Sequence, residues 1–353
     1  MWLTIIVGIL VLSVLVLAHE LGHFIAAKAT HCYVEEFGIG FPPRIWGKKF
    51  GDTIYSINWI PFGGFNKISG EVDPDAPRAL AARKYWVRIL VLSGGILMNL
   101  ILPFILMGIA YMVPHDVVHG TVVVQEVSPN SPAAAAGIQP GDTLLTINGV
   151  PVESNGILSR EIQLHLGAEI TIEVQHADAT VETVSVVPRW KPPEGDGAVG
   201  IATQTTDYEI VSETLPFWEA IPKGATSVWD SLILYKNGII EMFIGTVPFT
   251  PSGPVGIVQV AGEVAHGGVS PVLELTAFIS IAIAVTQLIP FPALDGSHLL
   301  FILIEWIRRG KRISARVQTI IHSTGFIVLI ALLLVITYQD IARWASGGSL
   351  LGG

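Results

Sequence analysis

The sequence predicts a polytopic α-helical membrane protein of about four transmembrane helices. It also predicts a membrane-associated β-hairpin region and an inserted α+β domain. Three observations carry this. Hydrophobic residues make up 51% of the 353 positions, charged residues only 14%, and mean hydropathy is +0.59, a balance outside the range of ordinary soluble domains. Four runs are apolar enough to span a bilayer: residues 2–27, 86–113, 272–292 and 319–338. Between the second and third lies a long stretch of short alternating runs punctuated by Gly and Pro. A net charge of −9 argues against nucleic acid as a partner, because its binders carry a basic face. The single cysteine, Cys32, leaves no intrachain disulfide and no multi-cysteine metal site.

The first span carries His19-Glu20-Leu21-Gly22-His23. On a helix, positions i and i+4 share a face, so the two imidazoles can meet one metal ion. Glu20 then stands beside it, where a carboxylate can take a proton from water. Two histidines and an acid are costly in hydrocarbon, which marks them as functional. No Lys or Arg precedes Lys28, so this segment reads as a retained span rather than a secretory leader.

Residues 33–71 follow, with aromatic residues, glycines and alternation such as Thr53-Ile54-Tyr55-Ser56-Ile57. That pattern predicts a hairpin at the membrane surface, with Trp46, Trp59, Phe62 and Phe65 at headgroup level. An exposed strand edge there can pair with an extended chain. The loop between spans one and two holds basic residues from Lys28 and Arg44 through Arg83, Lys84 and Arg88. That between spans three and four holds Arg308, Arg309, Lys311, Arg312 and Arg316. Residues 114–225 hold only Arg160, Arg189, Lys191 and Lys223. The positive-inside rule places the first two loops in the cytoplasm, and both termini and the central domain outside it.

In the central domain, Ser131-Pro132 through Val150-Pro151 (SPAAAAGIQPGDTLLTINGVP) predicts a short helix over Pro132–Ala136, a turn and a strand. Residues 169–174 and 181–187 alternate as further strands. The run resembles the PDZ family's Gly-Asp and Ile-Asn-Gly signature. That resemblance implies a peptide-binding domain, here over residues 114–207. Residues 208–265 are expected to hold an amphipathic helix lying in the interface, broken by Thr250–Ile257. The membrane domain is thus read as two parts, residues 1–113 and 266–353.

A catalytic zinc site normally has three protein ligands. Span three ends in Gln287-Leu288-Ile289-Pro290-Phe291-Pro292-Ala293-Leu294-Asp295-Gly296. The two prolines break the helix within apolar sequence, and unwound backbone at that depth lines a cavity. Asp295 is therefore the candidate third ligand, with His298 and His322 as alternatives. A helix-capping role for Asp295 is the other reading.

These features together resemble the site-2-protease family of intramembrane zinc metalloproteases, most closely the bacterial regulator-of-sigma-E branch with one PDZ domain. The features are HELGH, the PDZ-like insert, LIPFPALDG, Gly63-Gly64-Phe65-Asn66-Lys67 and Gly253-Pro254-Val255-Gly256-Ile257. The resemblance implies Zn2+ held by His19, His23 and Asp295, with Glu20 as the base. It implies substrates that are single-span membrane proteins already cut by another protease, such as anti-sigma factors or remnant signal peptides. It also implies a place in the bacterial cytoplasmic membrane. Gly64, Phe65, Asn99 and Gln287 are carried over as substrate-binding residues. Gln287 stands where the family has Asn, and Gly94-Gly95 through Asn99 lacks the family's proline. Two other functions compete: a PDZ-type membrane receptor with a decayed metal site, and a lipid hydrolase. The retained Glu20 speaks against the first, and the peptide-binding domain against the second.

Overall fold

A computed structural model describes residues 2–71, 73–248 and 250–346. Phe249 and the Phe62 side chain, named or spanned above, lie outside that description. In chain order the elements are α1 (Trp2–Ala29), β1 (Val34–Phe50), β2 (Thr53–Ile68), α2 (Tyr85–Leu92), α3 (Gly94–Met112), β3 (His115–Val127), α4 (Pro132–Ala135), β4 (Thr143–Ile147) and β5 (Val150–Pro151). Then come α5 (Asn155–Leu164), β6 (Ile170–Gln175), β7 (Val181–Val186), β8 (Ile201–Glu213), α6 (Phe217–Ile244), α7 (Pro254–Val264), α8 (Val269–Leu288), α9 (Asp295–Ile307) and α10 (Ala315–Ala345). Two compact units result. One comprises Met1–Tyr111, Phe217–Ala225 and Pro251–Gly353; the other comprises Met112–Pro216 and Thr226–Thr250.

In the first unit, α1, α3, α8 and α10 are long and apolar enough to cross a membrane. Small residues let these helices approach, as expected where lipid removes the hydrophobic drive between helices. The Gly22 Cα faces the Gly94 carbonyl with no space for a side chain between α1 and α3, and Gly8 meets Val258 between α1 and α7. Val11, Leu15 and Ala261 form one buried cluster. Ala27, Val34, Leu80, Val91 and Ile302 form another, joining α1, β1, α2 and α9. Most of the apolar surface of α10 stays exposed, as a lipid-facing helix requires.

The expected hairpin is present and is folded on itself. Glu36 to Ile39 pair with Lys67 to Gly64 on one side and with Ile54 to Ile57 on the other, while Trp46 to Phe50 close on Ile57 to Thr53. Residues 60–68 therefore have a ladder partner on one side only among the described residues. Trp46 and Trp59 are exposed, in keeping with an interfacial position.

The second unit is a sheet of order β7-β6-β4-β3-β8, with β5 paired to β4 and all pairings antiparallel. Ile170, Ile172 and Val174 alternate onto the buried face and pack with Val122, Val124, Leu144 and Ile147. Ser131 and Ser154 cap α4 and α5 through their side-chain oxygens. The Asn237 amide donates to the Gln163 carbonyl at 2.6 Å, and Arg160 meets Asp230 at 2.8 Å, fixing that part of α6 to this unit.

Four boundaries differ from the sequence reading. The span expected over 86–113 is divided at Ser93, whose hydroxyl donates back to Ile89 O at 2.7 Å just ahead of Gly94-Gly95, a combination that bends helices. β8 continues past 207 to Glu213 because its pairing with β3 continues to His115. Pro254 opens α7 rather than breaking a helix, since proline suits the first helical turn. Beyond the broken end of α8 a further helix, α9, precedes the last span.

Candidate metal centre

His19 and His23 stand one turn apart on α1, and both are buried. Asp295 opens α9, delivered by the Ile289–Leu294 turn in which Ala293 takes a left-handed conformation (φ 78°). The turn is tight enough to require glycine next to Asp295: a Cβ on Gly296 would fall 2.5 Å from the Leu288 and Ile289 carbonyl oxygens.

The three ligand atoms form a nearly equilateral triangle. His19 Nε2 and His23 Nε2 are 3.2 Å apart, and Asp295 Oδ2 is 3.1 Å from each. Tetrahedral zinc with bonds of about 2.0–2.1 Å sets its ligand atoms about 3.3 Å apart, so this triangle matches one face of a zinc tetrahedron.

The outer nitrogens fit the same assignment. Zinc ligation through Nε2 leaves Nδ1 protonated, and that proton needs an acceptor. His23 Nδ1 has one in the Val91 carbonyl at 2.8 Å. His19 Nδ1 lies 3.3 Å from the Asn99 amide. The Asn99 Oδ1 otherwise has no partner, and turning the amide over gives that oxygen the His19 proton. Ser280 donates to the Asn99 carbonyl at 2.8 Å, holding α3 at this level.

Glu20 lines the same cavity, of about 370 Å³, as do Asn66, Glu71, Gln287 and His298. An acid beside, but outside, the ligand triangle is placed to move a proton rather than to hold the ion. His298 and His322 stack on one another with ring centroids 4.0 Å apart and stay outside the triangle.

The residues expected to meet substrate fall into two groups. Asn99 is completely buried, with its amide 3.3 Å from His19 Nδ1. Gln287 lines the cavity, yet its Oε1 accepts the Asp295 N–H at 3.3 Å. Gly64 and Phe65 lie on the segment with the unpaired edge, opposite Ile39 and Gly38. Sequence reasoning did not single out Asn66. Its side-chain Nδ2 and Oδ1 are both shielded from solvent without a hydrogen-bond partner, on the cavity wall. The only signal was its place in the Gly63–Lys67 run.

Spanning helices that carry a His, His, carboxylate triangle with an acid at its side define a membrane-embedded metallopeptidase. The chain belongs to peptidase family M50, whose model matches residues 7–332. It is similar to a protein of Clostridium perfringens named for zinc metalloprotease activity, at 34% identity over 96% of this chain and 98% of that one. A similarly named protein of Clostridium acetobutylicum is 32% identical over 96% and 97%. Zinc metalloprotease RasP of Geobacillus kaustophilus is 27% identical over 97% and 98%.

Proposed function

We propose that this chain is a zinc endopeptidase that cuts membrane proteins within or near their spanning segments, with His19, His23 and Asp295 as ligands and Glu20 as the base. The observation that carries this reading is the 3.1–3.2 Å triangle of ligand atoms on a spanning helix, with Glu20 on the wall of the same cavity. When bound, zinc polarises the scissile carbonyl and makes a water acidic enough to lose its proton near neutral pH. Glu20 takes that proton and returns it to the departing amine. The Val91 carbonyl and Asn99 keep both imidazoles in the tautomer that points Nε2 at the ion. The unpaired edge of residues 60–68 holds the substrate extended by main-chain bonds, because a helical segment hides its carbonyls. Asn66 supplies a side-chain bond beside it.

The substrates are single-span membrane proteins trimmed beforehand by another protease, as in the regulator-of-sigma-E branch. The chain sits in a bacterial cytoplasmic membrane, with the 28–88 and 308–316 loops inside and the sheet domain and termini outside. The basic residues of those loops support this orientation. The sheet domain is a PDZ-like module that excludes untrimmed substrates. Its strand, short helix, strand start over Val122–Ile147 supports the first half of that statement. Removing residues 115–213 with a short linker should therefore admit an untrimmed substrate.

The deciding experiment pairs zinc analysis with cleavage of a model spanning peptide. Glu20→Gln should keep zinc and lose activity by a factor of about 10² to 10⁴. His19→Ala, His23→Ala and Asp295→Ala should each lose zinc. Full zinc content in Asp295→Ala, with loss in His298→Ala, would remove Asp295 from the ligand set. Full activity in Glu20→Gln would remove the base.

A further inference from the structure

The remaining ionic chemistry of the membrane unit gathers where α2 begins and α9 ends. Arg88 is buried and donates to Glu305 Oε2 at 2.7 Å, and Arg312 donates to Glu305 Oε1 at 3.0 Å. A cavity of about 600 Å³ opens over this group, lined by Arg83, Lys84, Arg88 and Arg312 against the single carboxylate of Glu305. Lys84 makes no ion pair among the described residues. Four cations facing one acid leave the cavity strongly positive, and such a cavity demands an anion.

A second cavity, of about 550 Å³, adjoins it and shares Tyr85 and Trp86 as walls. Its lining is apolar, from Ile89, Leu299, Leu303 and Trp306. Trp86 and Trp306 are 60% and 67% exposed. Tryptophans of that kind mark the headgroup level of a membrane, and the basic run from Arg308 to Arg312 marks the same boundary in the chain. A positive chamber opening into an apolar groove at that level matches one ligand form, a phosphate ester attached to hydrocarbon.

We infer that the α2–α9 junction is a binding site for an anionic phospholipid. Its phosphate sits among Lys84, Arg88 and Arg312, and an acyl chain lies along Trp86, Leu303 and Trp306. Neutral lipid fits the groove but leaves the positive excess of the cavity, Lys84 above all, without a counter-charge, so the site discriminates by charge. The same lipid braces two helices that lead to the metal centre, since α9 begins at Asp295 and α2 contributes the Val91 carbonyl to His23.

The test uses the full chain, purified in detergent and offered phosphatidylglycerol and phosphatidylcholine of identical acyl chains, with native mass spectrometry as readout. The wild type should retain one phosphatidylglycerol in preference to phosphatidylcholine by about tenfold or more. Lys84→Gln, which breaks no ion pair of the fold, should reduce that preference severalfold, and Lys84→Gln with Arg312→Gln should abolish it. Trp86→Ala with Trp306→Ala should lower retention of both lipids. Equal retention of the two lipids by the wild type would overturn the site, as would an unchanged preference in the double Gln variant. Inorganic phosphate that displaced phosphatidylglycerol completely, with the Trp variants unaltered, would make it a phosphate pocket and overturn the lipid assignment.

Discussion

Gly95 lies so close to both ligand imidazoles, those of His19 and His23, that a side chain there has no room: a Cβ on Gly95 would fall 2.5 Å from His23 Nε2, 2.5 Å from His19 Cε1 and 2.6 Å from His19 Nε2. The glycine at the start of α3 is thus part of the metal centre although it offers no ligand. Its absent side chain leaves the room in which the two imidazoles lie.

Gly95→Ala should therefore lose zinc while the helices still assemble, because the added methyl pushes aside the two imidazoles that must make bonds of about 2.0–2.1 Å. Zinc per chain in the purified variant should fall to about a tenth of the wild-type value or less. Normal zinc content would show that the histidines turn aside without cost.

Asn99→Leu keeps the volume and removes the acceptor for His19 Nδ1–H. Second-sphere losses of this kind lower metal affinity by about 10- to 100-fold. Competition with a chelator should show that drop, and Asn99→Asp, which keeps an acceptor oxygen, should recover most of it. Were Asn99 instead to meet substrate, Asn99→Leu would raise KM at unchanged zinc affinity.

The sheet domain should respond to pH through His176. Its imidazole meets Asp142 Oδ1 at 3.0 Å and Glu182 Oε2 at 3.5 Å. The hydrogen bond to Asp142 leads in holding its pKa above the ordinary value, with the charges of Asp142 and Glu182 adding. A pKa raised in the folded state means that the folded form binds the proton more tightly. The resulting stability is complete below the unfolded value of about 6.5 and is lost as pH rises through the folded one. Hydrogen exchange of β4 and β6 in the full chain should quicken across that window. His176→Gln should flatten the dependence.

Much of this architecture is legible in the residues, and the reasons for the exceptions are physical. HELGH sits on an uncharged run, so composition and helical spacing together point to a metal. Pro290 and Pro292 announce the break that carries Asp295. The roles of Gly95 and Asn99 depend on how α3 lies against α1, a tertiary fact that local pattern does not carry. Pro254 looks like a breaker in sequence, because the same residue serves before and within the first helical turn. The self-folded pairing of β1 and β2 is likewise invisible to alternation, which gives strands but not their partners.

The last prediction concerns the grip on the substrate. Asn66 lines the cavity that holds Glu20, both of its polar side-chain atoms lack a partner, and it lies on a segment whose other edge pairs with β1. A chain lying beside residues 60–68 would meet the Asn66 side chain in the cavity that Glu20 also lines. Asn66→Leu should leave zinc content unchanged and lower kcat/KM by about ten- to a hundredfold, the cost of a lost hydrogen bond in a site shielded from water. Asn66→Pro and Phe65→Pro each remove one N–H from this segment. If the substrate uses the outward edge, Asn66→Pro should slow cleavage more than Phe65→Pro. Ile54→Pro is the control, because Ile54 pairs with both Glu36 and Lys49 inside the sheet. Proline there should damage the hairpin itself, seen as faster proteolysis of residues 44–58. Equal cleavage by wild type, Asn66→Leu and Asn66→Pro would show that the substrate does not lie along this strand.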